Sequence, residues 1–305
     1  MKKIIVFGSI NTDLVINTPY IPDEGETIKG YEFYMSHGGK GANQAVAAAK
    51  LGGDVHLIGC LGNDEFGKNS LVALKKQNVH TTYVSVIDNV ASAVAMILRT
   101  NGDNRIILNS GSNDYLSATS FKDFIDSHGD ENSIFVAQLE NKPEEVFKAL
   151  KMAKEHGMVT LFNPTPAMKL DDEIFKSIDI LVINQTESKI ITSCYPNSFD
   201  DCPNIYLKLR NLGLKTLIIT LGKKGSAVLS ENGSFFIDGI EMNTVDSTGA
   251  GDSYIGALAY GLACDYSLQA STTLANKVSA LAVTKIGAQE SMPTLQEVNN
   301  YFNTK

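Results

Sequence analysis

Short apolar runs alternate with longer amphipathic stretches along most of the chain. Six runs have the length and β-branched content of strands that are covered on both faces. They span residues 4–7, 55–58, 134–137, 159–162, 180–183 and 216–219. Helical patterns are predicted at residues 42–51, 67–77, 143–156, 203–212, 251–264, 268–284 and 293–305. The alternation predicts an α/β fold, a three-layer αβα sandwich around a mostly parallel sheet.

Two further strand-like stretches, residues 28–36 and 93–100, lie where a simple βα alternation would not place a strand. The second is apolar on both faces, so both faces need cover. We therefore predict a small β-sheet lid, formed from about residues 12–38 and 92–108, that also makes a homodimer with a partner subunit. An extra edge of the main sheet is the alternative. With 305 residues, 43% of them apolar, the chain predicts one main domain over residues 1–305.

Charge and cysteine content narrow the class of protein. A net charge of −8, with no block of five basic residues, argues against nucleic acid or an anionic membrane as the partner. Four cysteines without a C-x-x-C pair and five histidines predict reduced thiols and no metal-ligand cluster. The apolar run after Met1 is too short for a signal or a membrane span. We expect a soluble cytoplasmic protein.

The turn from Asp246 to Asp252 leads directly into a helical pattern. Gly249, Ala250 and Gly251 have small side chains, so their backbone can approach a ligand closely. Free N–H groups at a helix start bind an anion, such as a phosphoryl group in transfer. Asp252 lies where the helix dipole favours a carboxylate, which can accept a proton from an attacking hydroxyl. An ordinary N-cap after a tight turn is the alternative.

A second glycine-rich turn, at residues 36–45, also opens into a helix. Its glycines allow backbone N–H groups to face a polyhydroxyl ligand. Asn43 can both donate and accept hydrogen bonds, and Lys40 brings positive charge. Alone, the segment is equally consistent with a turn that carries a solvated lysine.

These two segments resemble the signatures of the ribokinase-like carbohydrate kinases. The matching stretches are Gly38-Gly39-Lys40-Gly41-Ala42-Asn43-Gln44-Ala45 and Gly249-Ala250-Gly251-Asp252. Lys40 is typical of the ribokinases, whereas fructokinases and nucleoside kinases of the family usually carry another residue there. Similar blocks continue along the whole chain, at residues 8–13, 138–140, 163–167, 184–187, 220–225 and 287–291.

The resemblance implies a set of sugar-binding residues, namely Asn11, Asp13, Gly39, Lys40, Asn43, Glu140 and Asp252. Asn11, Asp13 and Glu140 follow predicted strands at the carboxyl ends, where open α/β sheets bind ligands. Without the resemblance, the first two would be interpreted as turn formers and Glu140 as a solvated side chain.

The resemblance also implies ATP contacts at Asn184, Thr220, Gly222, Gly225, Gly251 and Asn276. Asn184 and Glu187 would hold Mg²⁺ through water, although Asn-x-x-Glu also fits a helix capping box. A monovalent cation, K⁺, is implied at Asp246, Thr248, Ala282, Lys285, Gly287 and Ser291.

The implied reaction is transfer of the γ-phosphate of MgATP to the 5-hydroxyl of D-ribose, giving D-ribose 5-phosphate and ADP. Asp252 would be the general base, and the amides of residues 249–252 would stabilise the transferring group. A kinase for 2-deoxyribose, fructose or adenosine, or a non-catalytic sugar or nucleotide sensor, remains as an alternative. A dinucleotide dehydrogenase does not fit, because the turn after the first strand lacks G-x-G-x-x-G.

Overall fold

The structure, a computed structural model, describes residues 1–100, 103–128 and 131–303. Its strands are β1 (Ile4–Phe7), β2 (Asn11–Asn17), β3 (Tyr31–Gly38), β4 (Val55–Gly62), β5 (Val84–Ile87), β6 (Ala93–Thr100), β7 (Asp103–Asn109), β8 (Ile134–Ala137), β9 (Val159–Phe162), β10 (Ile180–Asn184), β11 (Thr216–Thr220), β12 (Gly225–Ser230) and β13 (Gly233–Asp238). Its helices are α1 (Lys40–Lys50), α2 (Glu65–Lys76), α3 (Ala118–His128), α4 (Pro143–Glu155), α5 (Gln185–Thr192), α6 (Cys202–Arg210), α7 (Ala250–Ala263), α8 (Leu268–Ala282) and α9 (Leu295–Asn303).

The main sheet has nine strands among the described residues, in the order β13-β12-β11-β10-β9-β8-β1-β4-β5. From β11 to β5 every neighbouring pair is parallel. The antiparallel hairpin of β12 and β13 extends one edge. The predicted mostly parallel sheet is confirmed, and the hairpin is an addition that the sequence patterns did not reveal.

Helices cover both faces of this sheet, which confirms the three-layer sandwich. In β1, Ile4 and Val6 belong to a core shared with α1, α7, α8 and α9. Ile5 and Phe7 belong to a second core shared with α3, α4 and α6. Successive side chains of a strand point to opposite faces, so a continuous apolar run is what a strand between two helical layers requires.

Four strands form a separate small sheet in the order β3-β2-β6-β7 within the described part of the chain. Strands β2 and β6 are parallel, and the other two pairs are antiparallel. The alternative of an extra edge on the main sheet is therefore wrong. Residues 93–100 match β6, whereas the stretch predicted at 28–36 begins later, at Tyr31. Residues 101 and 102 of the predicted lid lie outside the described residues, and the lid as a distinct unit stays a prediction.

Several boundaries differ from the predictions. Helix α1 begins at Lys40 rather than Ala42, because the glycine-rich turn already provides the first helical turn. The helix predicted at 268–284 ends at Ala282, and the closing helix spans Leu295–Asn303, with 304 and 305 outside the described residues. Helices α3 and α5 were not predicted. Residues 11–17 form β2 rather than a turn, because β3 and β6 pair with this segment on its two sides.

Three expectations from the sequence concern the cysteines, membrane spans and metal ligands. The four cysteines all lie in described segments and form no disulfide there. The described helices include none long and apolar enough to cross a membrane. The expectation of no metal-ligand cluster is wrong, because donor atoms of Asp54, His56 and His80 lie within 4.8 Å of one another. A β-bridge between residues 56 and 80 brings these histidines together from distant parts of the chain.

Helices α1 and α7 pack closely together because Gly256 of α7 has no side chain. A methyl group at Gly256 would lie 2.5 Å from Cβ of Ala47 and 2.6 Å from the carbonyl oxygen of Gln44. Real contacts of this kind are longer, so any side chain there would push α7 away from α1. The pair of helices carries the two sequence signatures, and this contact sets the distance between them.

We predict that Gly256→Ala destabilises the protein by about 1–3 kcal/mol, the usual cost of overpacking. In an exposed helix interior the same change would stabilise by roughly 0.5–1 kcal/mol. Urea unfolding of both proteins measures the difference. The double variant Gly256→Ala with Ala47→Gly should recover part of the loss, since one of the three clashes is removed. A single variant as stable as the parent would contradict the packing argument.

Candidate functional site

Polar residues collect where the parallel strands end. Asn163 follows β9, Asn184 ends β10 and Thr220 ends β11. With Lys40 and Asp252 they line a cavity of about 270 Å³. Because the carboxyl ends of parallel strands meet at one edge of the sheet, residues from distant segments converge there.

Asp252 lies in the first turn of α7 and only 7% of its surface is exposed. The N-cap is Gly249, in the left-handed conformation with φ of 74°. The alternative that Asp252 merely caps the helix is therefore wrong. A Cβ at Gly251 would meet no atom within 4 Å, so the turn is open toward the cavity. Backbone N–H groups of a helix start thus face a site that also contains a carboxylate.

Two side-chain amides of α1 hold the Asp252 carboxylate. Asn43 Nδ2 donates to Oδ2 and Gln44 Nε2 donates to Oδ1, each at 3.0 Å. Behind them, Gln138 Nε2 donates to Gln44 Oε1 at 2.7 Å, and Gln289 Nε2 donates to Asn43 Oδ1 at 3.1 Å. The supporting amides leave Asn43 and Gln44 no freedom to turn their oxygens toward the carboxylate. The orientation of Asp252 is therefore determined by four residues from three other segments.

The first residue of α1 meets Glu140. The backbone N–H of Lys40 donates to Glu140 Oε2 at 2.9 Å, and Ser9 Oγ donates to the same oxygen at 2.6 Å. Gly39 has φ of 87°, and a Cβ there would lie 2.7 Å from the Asn11 nitrogen. Glycine is required at this point by both conformation and space. Glu140 is thus a half-buried acceptor that joins β8, β1 and α1, and not the solvated side chain of the alternative interpretation.

Asn11 and Asp13 lie at the start of β2 and not in a turn. Asn113 Nδ2 donates to Asn11 Oδ1 at 2.7 Å, in a buried contact. A Cβ at Gly38 would lie 2.4 Å from both carboxylate oxygens of Asp13. The absence of a side chain at Gly38 therefore leaves room for this carboxylate. These contacts hold two polar side chains at the junction of the small and the main sheet.

Negative charges concentrate around this junction. Burial, together with the charges of Glu140, Glu290 and Asp252, raises the pKa of Asp13 to about 7. Burial opposes the charged form of Lys40, but Asp252, Glu140 and Glu187 hold the pKa of its ammonium above the usual value. Lys40 is accordingly a half-buried cation among carboxylates rather than a lysine in open solvent.

Asn184 and Glu187 form a capping box at the start of α5. Glu187 N donates to Asn184 Oδ1 at 2.9 Å, and Asn184 N donates to Glu187 Oε2 at 2.8 Å. Thr165 Oγ1 donates to the remaining carboxylate oxygen at 2.6 Å. The capping interpretation is thus confirmed, and both residues also line the cavity beside Asp252. Each acceptor oxygen keeps a second lone pair for a water molecule.

The residues expected around ATP lie in three places in the structure. Asn184, Thr220 and Gly251 line the cavity with Asp252. Gly222 and Gly225 lie in the turn between β11 and β12. Asn276 of α8 is occupied elsewhere: Oδ1 accepts from Ser226 at 3.1 Å, and Nδ2 donates to the carbonyl oxygens of Ile237 and Asp238. Its amide fixes the β12–β13 hairpin to α8.

The segments expected to bind a monovalent cation do meet. Asp246 Oδ1 accepts from the backbone and the hydroxyl of Thr248, at 2.9 and 2.6 Å. Oδ2 accepts from Gly287 N and from Arg99 of β6, both at 3.2 Å. Burial would raise the pKa of Asp246, but these hydrogen bonds and the Arg99 charge hold it below the usual value. The carboxylate already has a cationic partner from the small sheet.

The remaining residues of that expected set lie nearby. Lys285 N donates to the carbonyl oxygen of Ala282 at 3.2 Å, and Ser291 Oγ donates to that of Ala288 at 2.8 Å. Lys50, at the end of α1, donates to the carbonyl oxygens of Gln289 and Met292 at 2.7 and 2.9 Å. The 287–292 loop is therefore fixed to α1 by an ammonium.

Some residues of this site were missed by sequence reasoning. They are Gln44, Asn113, Gln138, Asn163, Gln289, Lys50 and Arg99. Gln44, Gln138, Asn163 and Gln289 lie inside quoted family blocks, so their position beside marked residues was an available signal. Asn113, Lys50 and Arg99 carry no local signal, because their partners are distant in sequence.

Comparison with known proteins gives one consistent result. The model of a family described as pfkB family carbohydrate kinase matches residues 1–295. A ribokinase from Schizosaccharomyces pombe is 38% identical, with 100% of this chain and 99% of the relative covered. A deoxyribokinase from Salmonella typhi is 34% identical over 98% of both chains. The structure of an Arabidopsis thaliana ribokinase complexed with ribose and ATP superposes with a TM-score of 0.89 at 30% identity, covering 98% of both chains.

Proposed function

Because the chain belongs to the pfkB family of carbohydrate kinases, we propose that it transfers the γ-phosphate of ATP to the 5-hydroxyl of D-ribose. The observation that carries this proposal is the position of Asp252. Its carboxylate is held by Asn43 and Gln44 beside the open turn at Gly249–Gly251. A proton acceptor and an anion site within one cleft are what phosphoryl transfer to an alcohol requires.

Asp252 is the proposed general base. Asn43 and Gln44 donate to one lone pair on each carboxylate oxygen, and each oxygen keeps another for the sugar hydroxyl. The backbone N–H groups of residues 249–252 stabilise charge on the transferring phosphoryl group. Because these groups are in place before substrate binds, little reorganisation is needed during the reaction.

In this proposal, the sugar binds between Asp252 and the small sheet. Asp13 and Glu140 accept hydrogen bonds from sugar hydroxyls, and Asn11 and Asn43 both donate and accept. The backbone at Gly39 approaches the ring closely, and Lys40 compensates the surrounding negative charge. The hydrogen bonds that fix Asn11 and Glu140 favour a pentose of fixed orientation over a flexible anionic substrate.

The nucleotide occupies the part of the cleft formed by Asn184, Thr220, Gly222, Gly225 and Gly251, and a kinase that uses ATP requires a divalent metal. The chemistry of Asn184 and Glu187 fits Mg²⁺ bound through water, because Mg²⁺ retains most of its hydration. The capping box already uses lone pairs on the side-chain oxygens of Asn184 and Glu187, so the metal ion would contact these residues through water. Bound Mg²⁺ would neutralise charge on the phosphates.

The proposal for K⁺ concerns the oxygens of Asp246, Thr248, Ala282, Lys285, Gly287 and Ser291. Since Arg99 already pairs with Asp246, a monovalent cation would compete with that guanidinium for the carboxylate. We therefore expect weaker K⁺ activation than for a site without the arginine. The cytoplasm, where ATP is available and thiols remain reduced, is the proposed location.

We predict that D-ribose has the highest kcat/KM in a panel with 2-deoxyribose, fructose and adenosine, measured by ADP release in the presence of Mg²⁺. A site that hydrogen-bonds a substrate hydroxyl discriminates against the analogue that lacks it. Preference for 2-deoxyribose would redirect the substrate assignment and leave the kinase assignment intact. ADP release with none of these acceptors would contradict the sugar-kinase proposal.

The same assay tests the role of Asp252 with the variant Asp252→Asn. Because the amide keeps the shape of the site, ribose binding should remain close to that of the parent. Turnover should fall about 10²–10⁴-fold, the typical contribution of a general base. Isothermal titration with ribose measures the first quantity and the coupled assay the second. Retained turnover would remove Asp252 from its proposed role.

We predict that the KM for ribose rises as the pH falls through about 7, because the protonated Asp13 carboxyl accepts hydrogen bonds less well. KM for ATP, measured in parallel, should change little. Asp13→Asn should have a high KM for ribose with no step near pH 7. Protonation of Asp13 has the opposite effect on stability. Because its pKa is raised in the folded protein, ionised Asp13 lowers the free energy of unfolding above pH 7, and this loss is relieved as the pH falls. An unchanged step in Asp13→Asn would assign it to another group.

We also propose that two copies pair through the outer face of the small sheet. Met35, Leu14, Met96 and Ile107 form an apolar row across its four strands by register. The opposite face is closed by Val15, Ala95 and Ile97. A sheet face of this kind pairs well with its own copy in a two-fold arrangement, since apolar rows are self-complementary.

Met96 is 51% exposed in the centre of that row. We predict that the parent protein has twice the 33.0 kDa chain mass in light scattering and that Met96→Lys has the mass of one chain. The lysine would place an unpaired charge in an apolar interface. Ile190→Lys, at a 40% exposed position on α5, is the control and should leave the mass unchanged. A parent protein with the mass of a single chain would contradict the pairing.

A further inference from the structure

Three of the five histidines lie close together, far from the cleft. His56 is in β4, His80 precedes β5 and His128 ends α3. Asp54 comes directly before β4, at the amino edge of the parallel sheet, whereas the cleft lies at the carboxyl edge. Charged and imidazole groups thus meet at a place that the proposed reaction does not use.

The donor atoms converge on one point. Asp54 Oδ1 lies 3.3 Å from His56 Nε2 and 3.2 Å from His80 Nε2. All three donor atoms lie within 4.8 Å of one another. Zinc bonds of about 2.0–2.2 Å in a tetrahedron place neighbouring donors about 3.3–3.5 Å apart. The two carboxylate–imidazole distances therefore match two edges of such a tetrahedron.

Backbone contacts hold the ligands in this arrangement. His80 N donates to the Val55 carbonyl oxygen at 2.8 Å, and Leu57 N donates to the His80 carbonyl oxygen at 3.0 Å. These bonds join the segment before β5 to the start of β4, so Asp54 and both histidines are fixed on one side of a short bridge. A site formed in this way needs little backbone movement to bind an ion.

The His56 side chain is packed in place, whereas the His80 side chain is accessible to solvent. His56 is 13% exposed and lies against the Phe124 ring, whose centroid is 5.4 Å away. The His80 ring stacks on His56 at 4.6 Å but is 57% exposed. It can tilt to direct its nitrogen at an ion that enters from solvent.

We propose that Asp54, His56 and His80 bind a divalent transition-metal ion of the zinc class, with water in the fourth position. Two imidazoles and one carboxylate are the donor set that Zn²⁺ accepts, whereas Mg²⁺ and Ca²⁺ prefer oxygen ligands. The ion would link β4 to the segment before β5 at the edge opposite the cleft. Its effect is on stability and not on phosphoryl transfer.

The test uses the untagged, nucleotide-free, chelator-treated chain. Isothermal titration with Zn²⁺ at micromolar concentration should give one equivalent bound, and the melting temperature should rise on addition of the ion. His80→Ala and His56→Gln should lose both effects. Both variants should retain ribose phosphorylation, which shows that they fold. His156→Ala, with an imidazole outside the cluster, should bind as the parent does.

Co²⁺ provides an independent readout. Its absorption spectrum should show ligation by nitrogen and oxygen without the charge-transfer band of a thiolate, which separates this site from the free cysteines. Three results would each overturn the proposal: no binding at micromolar Zn²⁺, one equivalent of Zn²⁺ still bound by His80→Ala, or a thiolate band with Co²⁺. The failure of ribose phosphorylation in the parent would affect the proposed function and leave this inference standing.

Discussion

The structure depends on the hydrogen bonds that hold the buried carboxylate of Asp252. Asn43 and Gln44 donate to its two oxygens from α1, while the carboxylate belongs to α7. A buried carboxylate without partners would take up a proton or destabilise the fold. The amides prevent both, and they direct the remaining lone pairs toward the cleft. The short contact at Gly256 is required for the same reason, because a wider spacing between α1 and α7 would break both bonds.

This arrangement concentrates negative charge at the carboxyl edge of the sheet. Asp252, Glu140 and Glu187 act on the ammonium of Lys40, and the carboxylate of Asp13 is in turn influenced by Glu140 and Asp252. A core built for stability alone would not gather buried and half-buried carboxylates in this way. The raised pKa of Asp13 is the visible cost, since burial and its neighbours oppose its ionisation. Such sites carry function at the expense of stability, as perturbed carboxylates usually do.

The sequence predicted the parts of the fold that local pattern controls. Residues 4–7, 134–137 and 159–162 are strands as predicted, because a parallel strand covered on both faces is a short continuous apolar run. Glu140 was expected near the carboxyl end of a strand by the same argument, whereas Asn184 was implied by the family resemblance. The small residues before α7 were open to two interpretations, an anion-binding turn and an ordinary helix N-cap, and the anion-binding turn stays a prediction.

Features that depend on distant partners were not predictable in this way. Strand β2 has polar residues at Asn11 and Asp13 that are typical of turns, and it is a strand because β3 and β6 pair with it. The amide network behind Asp252 joins segments separated by most of the chain, and the signatures mark only some of its members. His56 and His80 are unremarkable in the sequence, and only the β-bridge makes them neighbours.

Arg99 shows how the small sheet and the anion turn are connected. It lies on β6, with its guanidinium 5.9 Å from the centre of the Tyr34 ring, and it pairs with Asp246 of the main body. Asp246 in turn fixes Thr248, the residue before the Gly249 cap. A displacement of the small sheet that removed Arg99 would leave Asp246 with uncompensated charge next to this turn. The position of the small sheet and the electrostatics of the turn before α7 are therefore coupled through one carboxylate.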